Sequence, residues 1–346
     1  MGVEQRLDPD NPTNLTAVVH LSGPHALCQW QEGMNCMQHA KDFDLVVVGE
    51  INPDLIVRGD VTPAFGQVEQ LVDDATLTIG SSSCIMACGA ARLGLRVAFV
   101  GVVGDDMFGH FMQEELAARG IDTSGVVVDP ALRTGLSIIL SRGNDRAILT
   151  SPGAIGALRF DQIDLDLLAR ARHLHLGAYY MLDALRPNVP ALFAAAHERG
   201  LTVSLDTNYD PTERWNGGLH DVLRAVDVFL PNEVELLAIT QQPDFAAALA
   251  SLSARVPTLG VKRGAQGGVA RRGAEHVHAP SLSVAVVDTT GAGDSFDAGF
   301  IYGFVHDWSL ERTLRLACAC GSLSTRAAGG TAAQPTLAET CGFQDD

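Results

Sequence analysis

The chain has 346 residues, of which 47% are hydrophobic and 19% are charged. This composition supports a large buried core and excludes an intrinsically disordered chain. With 24 basic and 41 acidic residues the formal net charge is −17, which argues against binding to nucleic acid or to an anionic membrane, because both attract basic surfaces.

Two scarce residue types, lysine and cysteine, narrow the possible protein classes and the cellular location. The only lysines are Lys41 and Lys262, and neither follows a glycine, so the Gly-Lys-Ser/Thr motif of P-loop NTPases is absent. The seven cysteines form no Cys-x-x-Cys pair, which favours reduced thiols and a cytoplasmic location. No stretch reaches the ~20 apolar residues of a membrane span, and the N-terminus lacks the features of a secretory signal.

The chain is predicted to consist of a poorly structured N-terminal extension, residues 1–41, and one domain, residues 42–340. The domain opens with a buried strand at 43–49, after which apolar strands alternate with helices. The predicted strands cover 96–103, 173–177, 202–206, 226–230, 257–261 and a hairpin over 267–279. The predicted helices cover a segment that starts at 81–83 and continues through 91, and the ranges 108–119, 190–199, 232–239, 244–255, 292–305 and 310–327.

This alternation predicts an α/β fold with a Rossmann-like, mainly parallel sheet and helices on both of its faces. Two segments, about 52–79 and 134–150, interrupt the alternation with hairpin signals. They are predicted to form a small β-sheet lid. Because a small appended sheet leaves edges and one face uncovered, two copies of the lid are expected to pair as a homodimer.

The strongest chemical signal is the string Asp-Thr-Thr-Gly-Ala-Gly-Asp at residues 288–294. Its glycines allow successive N–H groups to point outward at the start of the next helix, where the helix dipole reinforces an anion hole. Asp294 lies beside this hole, and a carboxylate there is suited to take a proton from an attacking hydroxyl. The predicted catalytic residues are therefore Gly291, Ala292, Gly293 and Asp294.

With several weaker motifs, this string resembles the PfkB/ribokinase-like carbohydrate kinases, over about Phe43 to Pro335. The stretch 49–54 is similar to the family's first-strand motif, which implies that Asn52 and Asp54 contact the sugar. Asn232 and Glu235 match the family's Asn-x-x-Glu, which implies that they bind ATP phosphates and Mg²⁺, the latter through water.

The resemblance also implies a nucleotide site and a second cation. Lys262, Gly264 and Gly267 belong to a stretch similar to the loop that borders the nucleotide, and Thr290 is counted with them. Asp288, Thr290 and Gly330 resemble residues that surround a monovalent cation in some members, so K⁺ joins ATP and Mg²⁺ as a candidate cofactor.

The substrate side departs from the family pattern. The usual second glycine after Gly80 is Ser81, and the sugar-contacting Asn is replaced by Ile85, which argues against ribose because an unpaired buried hydroxyl costs ~1–3 kcal/mol. Asn208 lies in a stretch similar to ketodeoxygluconate kinase- and fructokinase-like members. Arg146 follows the lid hairpin tip, where its guanidinium could hold a carboxylate or hydroxyls. Gly80, Ser81, Arg146 and Asn208 complete the predicted substrate contacts.

The predicted activity is ATP-dependent phosphorylation of a hydroxyl of a sugar or sugar-like substrate. A nucleoside kinase is an alternative, since Tyr179 and Tyr180 could stack on a ring, and so is a non-catalytic sugar- or nucleotide-sensing protein. Structural interpretations also exist for single motifs. Asn232 and Glu235 could form a helix cap, residues 264–268 could be an ordinary turn, and His173 and His175 are favoured as strand residues over metal ligands.

Overall fold

The computed structural model describes residues 41–142 and 145–341, together with two short strands nearer the N-terminus. These strands, β1 (Arg6–Leu7) and β2 (Leu15–Thr16), pair antiparallel. The chain divides into two compact units, residues 1–40 and 41–346. The rest of the predicted extension up to residue 40 lies outside the described residues, as does the hairpin tip at 143–144.

A nine-stranded sheet forms the centre of the second unit. Its strands are β3 (Phe43–Val48), β6 (Val97–Gly104), β7 (Asp122–Asp129), β10 (Ala171–Leu176), β11 (Thr202–Leu205), β12 (Val228–Phe229), β13 (Thr258–Lys262), β14 (Gly268–Arg272) and β15 (Glu275–Ala279). Their order is β15-β14-β13-β12-β11-β10-β3-β6-β7. The strands from β13 to β7 are parallel, and β14 and β15 add an antiparallel hairpin at one edge.

Helices cover both faces of this sheet. They are α1 (Ser82–Leu93), α2 (Met107–Ala118), α3 (Leu165–Ala169), α4 (Val189–Glu198), α5 (Leu219–Val222), α6 (Glu233–Thr240), α7 (Phe245–Ser253), α8 (Ala292–Val305), α9 (Leu310–Ser324) and α10 (Leu337–Cys341). Alternate residues of β3 enter opposite cores: Leu45 and Val47 pack with α1, α2, α8 and α9, whereas Val46 and Val48 pack with residues of α3–α7. Burial on both faces explains why β3 is apolar without interruption from Leu45 to Val48.

The smaller sheet contains β4 (Pro53–Arg58), β5 (Asp74–Ile79), β8 (Leu136–Arg142) and β9 (Asp145–Ser151), in the order β5-β4-β8-β9. Strands β4 and β8 are parallel and the other neighbours are antiparallel. We call these four strands the lid sheet. They come from the two segments that the sequence predicted to interrupt the main alternation.

The predicted α/β fold class, with a separate small sheet, is confirmed. The sequence did not predict β7, because this edge strand is only partly buried and begins with the polar run Asp122–Ser124. The last long helix ends at Ser324, three residues before its predicted end. None of the helices in the described ranges is long and apolar enough to cross a membrane.

Candidate active site

The predicted site residues gather at the carboxyl ends of the parallel strands, where open α/β sheets bind their ligands. Asn52 follows β3, Asn208 follows β11 and Asn232 follows β12, while Lys262 is the last residue of β13. The lid sheet continues directly from this edge, since β4 begins at Pro53.

The N-terminus of α8 has free backbone donors. Its N-cap is Gly291, with φ 73°, so no side chain is available to accept from the first turn. The N–H of Ala292 points to Thr289 O at 3.3 Å. Gly293 and Asp294 are the next two helical residues, and their N–H groups have no intrahelical acceptor. Within the described ranges, the predicted anion hole therefore has two donors without an acceptor, Gly293 N and Asp294 N, and Ala292 contributes less than expected.

Asp294 lies in a cluster of ionisable side chains. Carboxylate oxygens of Asp206, Asp294 and Asp297 lie within 4.8 Å of one another. The ammonium of Lys262 donates to Asp206 Oδ2 at 2.6 Å and to Asp297 Oδ2 at 2.8 Å. Burial and Asp206 raise the pKa of Asp294 well above its usual range, and Lys262 acts in the opposite direction.

A cavity of about 550 Å³ adjoins the start of α8. Three predicted nucleotide-binding residues, Lys262, Gly264 and Gly267, line it together with Ala292 and Gly293. The remaining walls are mostly apolar, and include Leu282, Val284, Val286, Phe296 and Cys318. An apolar cavity that opens onto an anion hole is suited to a nucleotide, because the base can pack inside while the phosphates reach the N–H groups.

Asn232 and Glu235 form a capping box at the start of α6. Asn232 Oδ1 accepts from Glu235 N and Glu235 Oε2 accepts from Asn232 N, both at 2.9 Å. The structural alternative for this motif is thus realised. The capping box uses only one oxygen of the Glu235 carboxylate, because Oε1 takes no hydrogen bond within the described part of the chain. Burial, followed by the nearby Asp206, raises the pKa of Glu235 to about 7.

Asn52, Asp54 and Gly80 meet where β4 pairs with β5. Asn52 and Asp54 are both buried, and a Cβ added at Gly80 would overlap the Asp54 carboxylate and approach Asn52 O at 2.9 Å. Only glycine therefore leaves room for Asp54 at this position. Burial raises the pKa of Asp54 to about 7, against the favourable charge of Arg146. Asn52 Nδ2 donates to Pro53 O at 3.2 Å and reaches Ser137 Oγ of the lid at 3.5 Å.

The hydroxyl of Ser81 is committed to the fold. Ser81 is the N-cap of α1 with φ 65°, accepts from Cys84 N at 3.0 Å and donates to Glu50 O at 2.7 Å. Its cap compensates for a backbone conformation that favours glycine. A substrate contact at Ser81 would thus use its backbone. Asn208 is tied to the same helix start, since its Nδ2 donates to Ser82 Oγ at 3.3 Å.

Arg146 of the lid reaches the 288–294 loop. Its Nη1 donates to Thr290 Oγ1 and lies 3.6 Å from Asp288 Oδ1. The predicted nucleotide contact of Thr290 is therefore occupied by a lid side chain in this arrangement, and Thr290 does not line the cavity. The positive charge of Arg146 also partly offsets the rise that burial causes in the pKa of Asp54, which places the guanidinium near the predicted sugar ligands.

The predicted monovalent-cation residues lie together but are already bonded. Asp288 Oδ1 accepts from Thr290 N at 2.9 Å and Thr290 Oγ1 at 2.7 Å, while Oδ2 accepts from Gly329 N at 2.9 Å. Gly330 packs against Gly291, where an added Cβ would lie 2.7 Å from Gly330 Cα. The guanidinium of Arg146 also lies beside Oδ1, so these residues could hold a K⁺ ion only after Arg146 moves away from Asp288.

Ile85, at the position that the resemblance assigned to a sugar-contacting Asn, packs against the anion-hole loop. It is 3% exposed, and its Cγ2 lies 2.8 Å from where a Cβ of Gly291 would be. Its side chain also fills the space that a Cβ of Gly330 would need. Ile85 therefore supports the anion-hole loop from beneath.

The remaining candidates are core residues. His173 and His175 are buried and bonded to the hydroxyls of Thr202 and Ser204 at 2.7–2.9 Å, and burial lowers their pKa values to about 3 and 4. Tyr179 is fully buried and Tyr180 is 6% exposed. Ring stacking on a substrate, which would favour a nucleoside, is thus not available to Tyr179.

Sequence reasoning missed the partners of Lys262. Asp206 directly follows β11, two residues before Asn208. Asp297 lies three residues after Asp294 on α8, and this i, i+3 spacing could have placed the carboxylates of Asp294 and Asp297 on one helix face. Glu50 was also missed: its buried carboxylate accepts from Ser82 Oγ at 3.0 Å and from the Ser83 hydroxyl.

Comparisons with known proteins agree on one family. Residues 42–337 match the model of the pfkB family carbohydrate kinases. An ATP-dependent ribose-1-phosphate kinase of Halopiger xanaduensis is 31% identical over 298 residues, 85% of this chain and 96% of the relative. A probable fructokinase-3 of Arabidopsis thaliana is 30% identical over 285 residues, covering 77% and 83%.

The fold has close structural relatives. A ribokinase-type protein of Escherichia coli, solved in complex with ATP and Mg²⁺, superposes with a TM-score of 0.78 at 26% identity, over 87% of this chain and 98% of the other.

Proposed function

Since the chain belongs to the pfkB family of carbohydrate kinases and is a sugar kinase, we propose that it transfers the γ-phosphoryl group of ATP to a hydroxyl of a sugar or sugar-like substrate. Asp294 is the base and the N-terminus of α8 is the anion hole. The observation that carries this proposal is the pair of uncommitted N–H groups at Gly293 and Asp294, with the Asp294 carboxylate beside them.

Each part of the reaction has a place in this geometry. The substrate oxygen loses its proton to Asp294 as it attacks the phosphorus. Because negative charge is spread over the phosphoryl oxygens, fixed N–H donors that are already oriented stabilise the transition state without reorganisation. ATP lies with its base in the 550 Å³ cavity and its phosphates toward Gly293. Such an arrangement mainly supplies positioning, which is what phosphoryl transfer requires.

The sugar lies between Asp294 and the lid sheet. Asn52, Asp54, Asn208 and the backbone at Gly80 and Ser81 bind its hydroxyls, and Arg146 closes over it. Asp54 suits this role because its buried carboxylate has no hydrogen bond of its own in the described part of the chain, so hydroxyl donors would satisfy it.

Mg²⁺, which neutralises charge on the transferring phosphates, fits Glu235. Its Oε1, which takes no hydrogen bond among the described residues, is a hard oxygen ligand, and the Glu235 charge acts on Asp294 beside the proposed anion hole. Contact through water suits an ion that keeps much of its hydration. Potassium activation stays a prediction for the 288–330 loops, and it would require Arg146 to leave Asp288.

Asp294→Asn tests the proposed base. The variant should lose about 10²–10⁴-fold in kcat and keep its sugar and ATP affinities, because the change preserves side-chain size and removes only the proton acceptor. Turnover would be followed by ADP release over a panel of sugars, with Asp307→Asn of an exposed loop as the matched control. A kcat within a few-fold of the parent enzyme would rule out Asp294 as the base.

We also propose a homodimer through the outer face of the lid sheet, in a cytoplasmic enzyme with reduced thiols. The strand register places one apolar set on the face away from Asp54: Leu55, Val57, Ala75, Leu77, Ile138, Leu140, Ala147 and Leu149. An apolar face of this kind favours burial by an identical face. Sedimentation of a monomer at micromolar concentration would contradict the dimer.

A further inference from the structure

The Lys262 ammonium is held rigidly at the anion hole. Two of its three N–H donors go to Asp206 and Asp297, at 2.6 and 2.8 Å, and its side chain is 11% exposed. A Cβ at Gly293 would lie 3.7 Å from Nζ, so the charge stands against the backbone that binds phosphate. Burying these charged groups costs desolvation free energy, so a contribution to fold stability does not by itself explain their position beside the 288–294 loop.

The ion pair has consequences for Asp294. The oxygens of Asp206 and Asp294 lie within 4.8 Å of each other, and a second carboxylate at that distance favours protonation of the first. A protonated Asp294 cannot accept a proton from the substrate. Lys262 supplies a counter-charge of the kind that a metal ion would bring to three such carboxylates, and its ammonium contacts two of them, Asp206 and Asp297.

We infer that Lys262 offsets the negative charge that Asp206 places beside Asp294 and so favours the ionised form of the base, which makes Lys262 a positioning residue for Asp294. This inference rests on the proposed role of Asp294. Other groups act on Asp294 from neighbouring elements: Asp297 on α8 itself, Glu235 on α6, and Glu50 after β3. All of them are acidic, so Lys262 provides the compensating positive charge among the groups that act on Asp294 in the described part of the chain.

The pH dependence of kcat/KM tests the pair. Loss of a nearby opposite charge shifts a carboxyl pKa by about 1–3 pH units, and Lys262 favours the ionised form of Asp294, so Lys262→Met should move the acidic limb to higher pH by that amount. Asp206→Asn should move the limb to lower pH. In the double variant the two charges disappear together, and the limb should return to within about half a pH unit of the parent value.

The controls separate charge from folding. Lys41→Met makes the same chemical change at the other lysine, whose ammonium binds the carbonyls of Ala169 and Arg199, and should leave the limb unmoved. Thermal melting establishes that each variant is folded, and if Lys262→Met alone fails to fold, the comparison of Asp206→Asn with the double variant measures the same coupling.

Each outcome has a definite reading. A Lys262→Met enzyme whose activity falls while its limb stays at the parent pH overturns the inference, as does a double variant whose limb stays at the position of Asp206→Asn. Failure of the inference is distinguishable from failure of the proposed function: in the first case Asp294→Asn still abolishes turnover, and in the second it does not.

Discussion

Asp54→Asn is expected to stabilise the folded protein at alkaline pH, although it removes a proposed sugar ligand. Burial raises the pKa of Asp54 from 3.8 to about 7, so the folded protein holds a proton over this interval that the unfolded chain has released. The free energy of unfolding therefore falls as the pH rises from about 4 to about 7, and the stabilisation is fully present only below that range.

The size of the effect follows from the interval. At about 1.4 kcal/mol per pH unit, ionisation of buried Asp54 costs the fold about 4 kcal/mol once the pH exceeds 7. About 3 kcal/mol of this cost develops between pH 5 and pH 8. Asparagine does not titrate, so the difference in unfolding free energy between Asp54→Asn and the parent protein should grow by about that amount over the same range.

Urea unfolding without ligand, at pH 5 and at pH 8, measures this difference. Asp166→Asn, at an exposed position on α3, is the matched control and should give the same difference at both pH values. If the difference in unfolding free energy between Asp54→Asn and the parent protein is the same at pH 5 and pH 8, burial does not raise the pKa of Asp54. If Asp54→Asn gains unfolding free energy as the pH rises and also has a raised KM for the sugar, the cost of burying Asp54 is explained by its role in sugar binding.

Two further variants probe the metal and the lid. Glu235→Gln should raise the Mg²⁺ concentration for half-maximal activity several-fold with little change in sugar KM, because glutamine retains the capping box but loses the charge. Glu233→Gln is the control. If the two variants give the same Mg²⁺ titration, Glu235 has only its capping role. Arg146→Ala should raise the sugar KM about tenfold or more, whereas Arg142→Ala, whose side chain binds Thr62 Oγ1, should not; equal KM values in both variants would remove Arg146 from the substrate site.

The sequence predicted those parts of the fold that depend on local patterns. The strand at 43–48 is apolar throughout its last four residues because both of its faces are buried there. The loop at 288–294 contains glycines because α8 starts with a turn that has no side-chain cap. Edge strand β7 lacks such a pattern, since it is paired on one side and only partly buried. Its position is fixed by pairing with β6, a tertiary contact that a local pattern does not record.

The site was predictable to the same extent. Motifs singled out Asp294, Asn52 and Lys262 as candidates. They did not reveal the contacts of Lys262, because its partners lie just after β11 and on α8, far apart in the chain. Ile85 is a similar case: the motif resemblance marked its position only as one that departs from a sugar-contacting Asn, and its packing against Gly291 and Gly330 became visible only in the structure. Long-range contacts of single side chains are what the sequence could not supply.

The strength of the lid contact indicates what controls closure. Arg146 links the lid to the 288–294 loop through Thr290 and Asp288, yet the side chains of Arg146 and Asp288 are 39% and 21% exposed. A solvent-exposed ion pair contributes about 0–1 kcal/mol, so this contact cannot hold the lid shut against thermal motion. A bound sugar that satisfies Asp54 and engages Arg146 would add the missing stabilisation. Closure, and with it the exclusion of water from the phosphoryl group, then depends on substrate being present, so ATP hydrolysis without sugar should be slow.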